Sequence, residues 1–145
     1  MFRSFKHKRK LTRGERLLRR GVAATEFAIV APVFFLMVIG FIEFGRALMV
    51  QQVLINASRV GARMASTTGS STAGVQSAVT TYTANVHVPS VTVTVTPNPA
   101  TATAGTAITV TTSVPFSSVS WLASPFYLGG KTLKASSQMR KEGFD

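Results

Sequence analysis

The sequence predicts an α+β protein in which a long N-terminal transmembrane helix continues outside the membrane and precedes a small antiparallel β-rich C-terminal domain. Three patterns predict this fold. An uncharged apolar run covers residues 27–42, helical periodicity continues to residue 66, and valine alternates with threonine farther along the chain. The first pattern is typical of a membrane span, the second of an amphipathic helix and the third of a half-buried strand.

Basic residues are concentrated at the N-terminus. The formal net charge is +11, and nine of the 16 Lys and Arg residues lie within residues 1–20, where Glu15 is the only acid. This distribution is typical of the cytoplasmic flank of a membrane helix, because positive residues stay on the cytoplasmic side. The alternative is a basic arm for nucleic acid. No helix-turn-helix, zinc-finger or aromatic RNA-binding pattern accompanies it, so we expect no nucleic-acid partner.

The apolar run is long enough and apolar enough to insert into a bilayer. Eleven of the 16 residues from Phe27 to Ile42 are Leu, Ile, Phe or Val, which together favour insertion by roughly 3 to 7 kcal/mol. Residues 22–42 can cross a hydrocarbon core about 30 Å thick as a helix, with a bend expected at Pro32. No Ala-x-Ala site follows closely, so we expect the segment to be retained rather than removed as a secretory signal peptide.

Helical periodicity continues outside this span, over residues 43–66. Polar side chains share one face: Gln52, Asn56, Arg59, Arg63 and Ser66. Apolar side chains share the other: Val50, Val53, Leu54, Ala57, Val60, Gly61 and Met64. An apolar face must be covered, either by the chain's own C-terminal domain or by helices of other subunits.

Two smaller features of this outer helix concern its contacts. Small residues recur every four positions at Ala57, Gly61 and Ala65. They permit close approach of the helix either to the chain's own C-terminal domain or to helices of other subunits. Glu43 and Arg46 lie about one turn apart, so an ion pair between them is available on one face.

The C-terminal region is uncharged from residue 64 to residue 130. We expect a flexible linker at residues 66–74 and a short helix over 74–84, with Val75, Val79 and Tyr82 on one side. Three alternating stretches predict strands: Val91–Val95, Ile108–Val114 and Leu133–Met139. The expected cover for these strands is the outer helix, since two or three strands are not stable alone.

The predicted division of the chain follows from these patterns. Residues 1–21 form a basic cytoplasmic leader, and residues 22–66 form the long helix, of which 22–42 is transmembrane and 43–66 is amphipathic and outside. Residues 67–85 form the linker and short helix, and residues 86–145 form the β-rich domain.

The chain lacks the residue patterns of catalysis. It has no cysteine, and His7 and His87 are isolated in sequence. No glycine-rich phosphate loop or metal-ligand spacing occurs. An envelope enzyme would have to work with hydroxyl groups and no general base. We therefore predict no catalytic residue, no metal, no cofactor and no small-molecule substrate.

One carboxylate lies at the start of the apolar helix. Glu26 is the only charged residue between Arg20 and Glu43. A carboxylate inside a membrane span is costly unless it is paired, so Glu26 is a candidate functional residue and needs a positive partner.

Several stretches together resemble the TadE-like family of the tight-adherence pilus system. They are Gly21-Val-Ala-Ala-Thr-Glu-Phe-Ala28, the proline-containing apolar helix, Gly45-Arg46 and Asn56-Ala-Ser-Arg-Val-Gly-Ala-Arg63. The resemblance implies a minor pilin-like protein, a pseudopilin of Flp-type pilus assembly. It also implies cleavage by a prepilin peptidase between Gly21 and Val22, which makes Glu26 the fifth residue of the mature chain.

The resemblance assigns roles and partners. The processing site is Gly21, Val22, Glu26 and Phe27, and the assembly residues are Glu26, Ala57, Gly61 and Ala65. The implied partners are the inner membrane, the prepilin peptidase, other pilin or pseudopilin subunits and the pilus assembly machinery. The implied location is the bacterial inner membrane, with a cytoplasmic N-terminus and a periplasmic C-terminal domain. Whether the protein is incorporated into the pilus is left open. The alternative function is an unprocessed signal-anchored envelope protein whose β-domain binds a surface or cell-wall partner.

Overall fold

A computed structural model describes the backbone of residues 13–143 and the side chains of residues 21–143. The chain divides into two compact units, residues 1–38 and residues 39–145. The first twelve leader residues, including His7, lie outside the described part. The predicted fold class is confirmed: a long N-terminal apolar helix is followed by a small three-stranded antiparallel sheet.

The long helix, α1, spans Arg13–Ser66 and continues through Pro32. Its C-terminal end is the one that the periodicity predicts, but its start is nine residues earlier than the predicted Val22. The segment Arg13–Arg20 is rich in Arg, Leu and Glu, which are good helix formers. The helix therefore runs through the Gly21–Val22 junction.

In the first unit, α1 exposes its apolar residues. Every described side chain from Gly21 to Met37 is exposed or half-buried, and only 6% of the most apolar 18-residue window of the helix is buried within the chain. A core helix of a soluble protein would be mostly covered by its own chain. Among the described helices, α1 is the one that is long and apolar enough to cross a membrane. This indicates a single-pass membrane protein.

In the second unit, the outer part of α1 and a second helix cover one face of the sheet. The second helix, α2, spans Thr72–Asn85, and its N-terminus is capped by Ser71, whose Oγ accepts the backbone N–H of Gly74 at 3.2 Å. The strands are β1 (Thr92–Thr96), β2 (Ala107–Pro115) and β3 (Thr132–Arg140). A short 3-10 helix, Phe116–Ser118, follows β2.

The sheet has the order β1-β2-β3, and both pairs are antiparallel. The register places Val95 opposite Val110 and Val114 opposite Leu133. Along β2 the buried positions alternate: Ile108, Val110, Thr112 and Val114. This is the period-two pattern of a strand with one covered face, and it gives the sheet the side to which the helices pack.

Two apolar clusters join the helices to this face. One contains Ala47, Val50 and Leu54 of α1 together with Val114, Phe116 and Ala135. The other contains these residues: Ala57, Ala62, Ala65, Val75, Val79, Val93, Ile108 and Val110. The expectation that the outer helix covers the strands is confirmed.

The covered face of α1 is rotated relative to the predicted one. Val60 and Met64, which the periodicity places on the packed face, are exposed, whereas Ser58 and Ala62 are fully buried. Ser58 is accommodated because its Oγ lies 2.8 Å from the Oγ of Ser137 and also donates to the carbonyl oxygen of Ile55. A buried hydroxyl with partners costs little. The rotation brings small residues toward the sheet in place of the larger valine and methionine.

The predicted flexible linker, residues 66–74, contains a hydrogen-bonded turn between the two helices. Ser66 ends α1, residues 72–74 begin α2, and the turn between them is anchored by side-chain hydrogen bonds. The Oγ of Ser70 donates to the carbonyl oxygen of Ala65 at 2.9 Å. The Nζ of Lys141 donates to the carbonyl oxygen of Thr67 and to Ser70 Oγ. Composition indicated flexibility, but a lysine 71 residues away in sequence holds the turn.

Candidate functional site

The predicted processing site lies on an exposed stretch of α1. Gly21, Val22, Glu26 and Phe27 are all exposed, and a Cβ atom built on Gly21 would meet no atom within 4 Å. The Thr25 hydroxyl donates to the carbonyl oxygen of Gly21 at 3.0 Å. That carbonyl belongs to the peptide bond that the proposed cleavage would break. The stretch is accessible but helical, so a peptidase would need to unwind it locally.

Glu26 lies on this exposed stretch without a cation from its own described neighbours. Among residues 21–143, the structure shows no ion pair or side-chain hydrogen bond to its carboxylate. In water such a carboxylate is well solvated, but in a bilayer it loses that solvation. A cationic partner would offset that loss if the helix is inserted to this depth.

The other predicted assembly residues lie elsewhere. Ala57 and Ala65 are fully buried, and Gly61 is buried between α2 and β2. A Cβ atom on Gly61 would lie 2.7 Å from Cγ2 of Val79 and 2.8 Å from Cγ1 of Val110. The sequence left open whether the chain's own C-terminal domain or helices of other subunits cover this face of the helix. In the structure, the chain's own C-terminal domain covers it. These three small residues therefore permit packing within one subunit.

The ion pair available between Glu43 and Arg46 is not the arrangement found. The carboxylate of Glu43 accepts backbone N–H groups from Phe126, from Tyr127 at 2.9 Å and from Leu128 at 3.0 Å. Glu43 is fully buried. Three N–H donors compensate a buried carboxylate for the water that it loses. Glu43 thus fixes a loop that is 83 residues away in sequence.

Arg46 holds an earlier part of the same loop. Its Nε donates to the carbonyl oxygen of Val119 at 2.8 Å, and its guanidinium lies 4.9 Å from the centroid of the Trp121 ring. Such a position over an aromatic face is favourable for a cation. Sequence reasoning missed both roles, because the alternation pattern that reveals strands is absent from the loop. The only local signal was the turn chemistry of Pro125 and Gly129-Gly130.

Part of the chain is similar to a known protein family. The model of the TadE-like protein family matches residues 21–63. This stretch is TadE-like. The TadE-like segment begins at the predicted processing glycine and ends in the last turn of α1, so it covers the membrane span and the outer helix. The match supports involvement in tight-adherence pilus assembly. No curated protein and no solved structure matches the chain.

The TadE-like pilus-assembly family is not known as enzymatic. Within the part of the chain that the structure describes, no group of three or more His, Cys, Asp or Glu side chains could hold a metal ion. The chemistry that the segment offers is instead that of one exposed carboxylate on an apolar helix.

Proposed function

We propose that this chain is a minor pilin-like subunit, a pseudopilin, of tight-adherence pilus assembly in the bacterial inner membrane. Its basic leader lies in the cytoplasm and its second unit in the periplasm, in accordance with the positive-inside rule. A prepilin peptidase cleaves between Gly21 and Val22. The mature subunit then associates with other pilin or pseudopilin subunits through the exposed apolar part of α1.

The observation that carries this proposal is the exposed carboxylate of Glu26. A charged group within a membrane helix costs about 2.5 to 3.5 kcal/mol at the bilayer centre on insertion scales, and less near the interface. Cleavage after Gly21 creates a positive α-amino group on Val22, four residues before Glu26. An amine of one subunit and a carboxylate of its neighbour attract strongly where the dielectric constant is low.

Such a pair would set the axial register between neighbouring helices. Glu26 is four residues beyond Val22, which corresponds to about 6 Å along a helix axis. Two subunits that pair amine with carboxylate are therefore offset by about one helical turn. Apolar residues 27–42 add van der Waals packing between the helices but no hydrophobic driving force, because lipid tails are as apolar as the helix.

The packing of the second unit supports assembly through the membrane part of α1. The small residues of the outer helix are already covered by α2 and the sheet. By contrast, the side chains of Phe27, Ile29, Val30 and Val33 are all exposed. Contacts with other subunits are therefore proposed along residues 22–42.

Deletion and complementation of the gene test the proposed role. We expect a deletion strain to lose surface pili, and plasmid-borne wild-type protein to restore them, with pili counted by electron microscopy. Normal pilus number and length in the deletion strain would contradict the proposal. That result would favour the alternative of an unprocessed signal-anchored protein whose β-domain binds a surface or cell-wall partner.

A further inference from the structure

The second unit carries an exposed aromatic loop beside the end of the apolar run. The aromatic loop, residues 120–130, contains no charged residue. It exposes 65% of Trp121, 69% of Phe126 and 45% of Tyr127. The rings of Phe126 and Tyr127 stack edge to face, with their centroids 5.1 Å apart. Large aromatic side chains exposed together on a loop are unusual on a surface that faces only water.

The aromatic loop is fixed to α1 at a definite level. Glu43 accepts three of its backbone N–H groups, and Arg46 lies over Trp121. The Tyr127 ring also contacts the helix at Gly40, where an added Cβ atom would lie 3.4 Å from Cε2 of the ring. The loop is therefore held beside residues 40–46 of α1. The apolar run ends at Ile42, within these residues.

The same level of α1 exposes further apolar side chains. Phe41, Phe44 and Leu48 are exposed in the second unit. If residues 22–42 cross the hydrocarbon core, this level coincides with the boundary between acyl chains and head groups. Trp and Tyr side chains are enriched at that boundary, because their rings are apolar and their N–H and O–H groups need a polar neighbour.

We propose that the aromatic loop inserts into the head-group region of the leaflet next to the second unit. The partner is thus the phospholipid surface itself, and Glu43 and Arg46 act as positioning residues that hold the loop at this depth. The loop gives the second unit a second attachment to the membrane besides α1. This second attachment restricts the orientation of the sheet relative to the bilayer. This inference depends on the membrane span and not on the pilus role.

The composition of the chain provides a direct probe, because Trp121 is its only tryptophan. The full chain is reconstituted into nanodiscs of phosphatidylcholine and phosphatidylglycerol, in which both faces are accessible. Parallel samples contain lipid with a nitroxide on the head group, near the top of the acyl chain or near its end. We expect several-fold stronger quenching of Trp121 fluorescence by the two shallow nitroxides than by the deep one, together with protection from aqueous acrylamide.

Two results would overturn the proposal. In the first, acrylamide quenches Trp121 fully while all three lipid nitroxides have little effect, which would mean that the loop faces water. In the second, Trp121 is protected from acrylamide without quenching by lipid, and the protection is lost when the protein is diluted to one copy per nanodisc. That second result would assign the surface to another copy of the chain.

A pair of matched variants tests the positioning role of Glu43. Glu43→Gln removes the charge that three backbone N–H groups share, whereas Glu142→Gln makes the same chemical change at an exposed residue beyond β3. We expect Glu43→Gln to reduce the difference between shallow and deep quenching, and Glu142→Gln to leave it unchanged. Unchanged quenching in a Glu43→Gln protein with a wild-type circular dichroism spectrum would contradict the role of Glu43.

Discussion

The Nζ atom of Lys141 lies 2.6 Å from the carbonyl oxygen of Thr67, and this contact joins the residue after β3 to the turn between α1 and α2. The same ammonium group donates to Ser70 Oγ at 2.9 Å. Lys141 is almost completely buried. The buried ammonium group, with its two acceptors, therefore links the end of β3 to the C-terminal end of α1 within the second unit.

Replacement of this lysine should destabilise the second unit. Lys141→Met keeps the length of the side chain but removes the ammonium group that donates to the Thr67 carbonyl and the Ser70 hydroxyl. Hydrogen bonds to charged groups contribute about 1.5 to 3 kcal/mol each to stability, and the loss is not additive. We expect the free energy of unfolding in detergent to fall by about 1 to 3 kcal/mol. Lys134→Met, at an exposed position of β3, is the control and should change stability little.

A methyl group at Gly61 should also destabilise this unit. Gly61→Ala would place a Cβ atom within 3 Å of both Val79 and Val110, which are branched side chains of a packed core. Overpacking of this kind costs about 1 to 3 kcal/mol. Thermal unfolding followed by circular dichroism should show a lower midpoint. Gly45→Ala is the matched control, since a Cβ there meets no atom within 4 Å.

The Gly61 prediction has an internal rescue. The double variant Gly61→Ala, Val79→Ala removes one of the two clashing side chains. We therefore expect Gly61→Ala to lower the unfolding midpoint less in the Val79→Ala background than in the wild type. A midpoint for Gly61→Ala equal to or above that of the wild type would mean that α1 does not approach the sheet as closely as described.

Substitution at the processing glycine should separate cleavage from folding. A Cβ on Gly21 meets no neighbouring atom, so Gly21→Ala should leave the fold intact. The resemblance to a prepilin peptidase substrate implies that a side chain at this position obstructs the peptidase. We expect the variant to accumulate as the uncleaved form, detected as a larger species on a gel. Efficient cleavage of Gly21→Ala, matching that of Gly45→Ala, would argue against this site.

Neutralising Glu26 should impair assembly but not insertion. Glu26→Gln preserves the shape of the side chain and lowers the cost of burying it in lipid, so the protein should still fractionate with membranes. It cannot attract the α-amino group of a neighbouring subunit. We expect complemented strains to show several-fold fewer pili while the leader is still removed. Wild-type pilus numbers would refute the register role, and Glu142→Gln serves as the control.

The sequence predicted the elements of the fold better than their long-range contacts. The apolar run, the end of α1 at Ser66 and the alternation in β2 follow from local periodicity, which reports the covered face of each element. The start of α1 at Arg13 was missed because a charged segment has no apolar stripe to reveal it. Composition predicted a linker at residues 66–74 but does not report the buried lysine that contacts the turn there.

The role of Glu43 was the largest omission. Its position next to Arg46 favoured a local ion pair, but the three N–H groups of residues 126–128 satisfy the carboxylate more completely. Such a contact joins residues more than 80 positions apart, and neither segment carries a periodic pattern that points to the other. The location of Gly61 in the core was left open for a similar reason, since small residues allow close approach to any partner.

The residue at which the mature chain begins decides whether a peptidase removes the leader after Gly21. Protein purified from membranes of a strain with the complete pilus system can be analysed intact by mass spectrometry and by N-terminal peptide sequencing. We expect a chain that begins at Val22, with residues 1–21 absent and Glu26 at its fifth position. A chain that begins at Met1, or that begins beyond Ala47 after loss of the apolar helix, would contradict it.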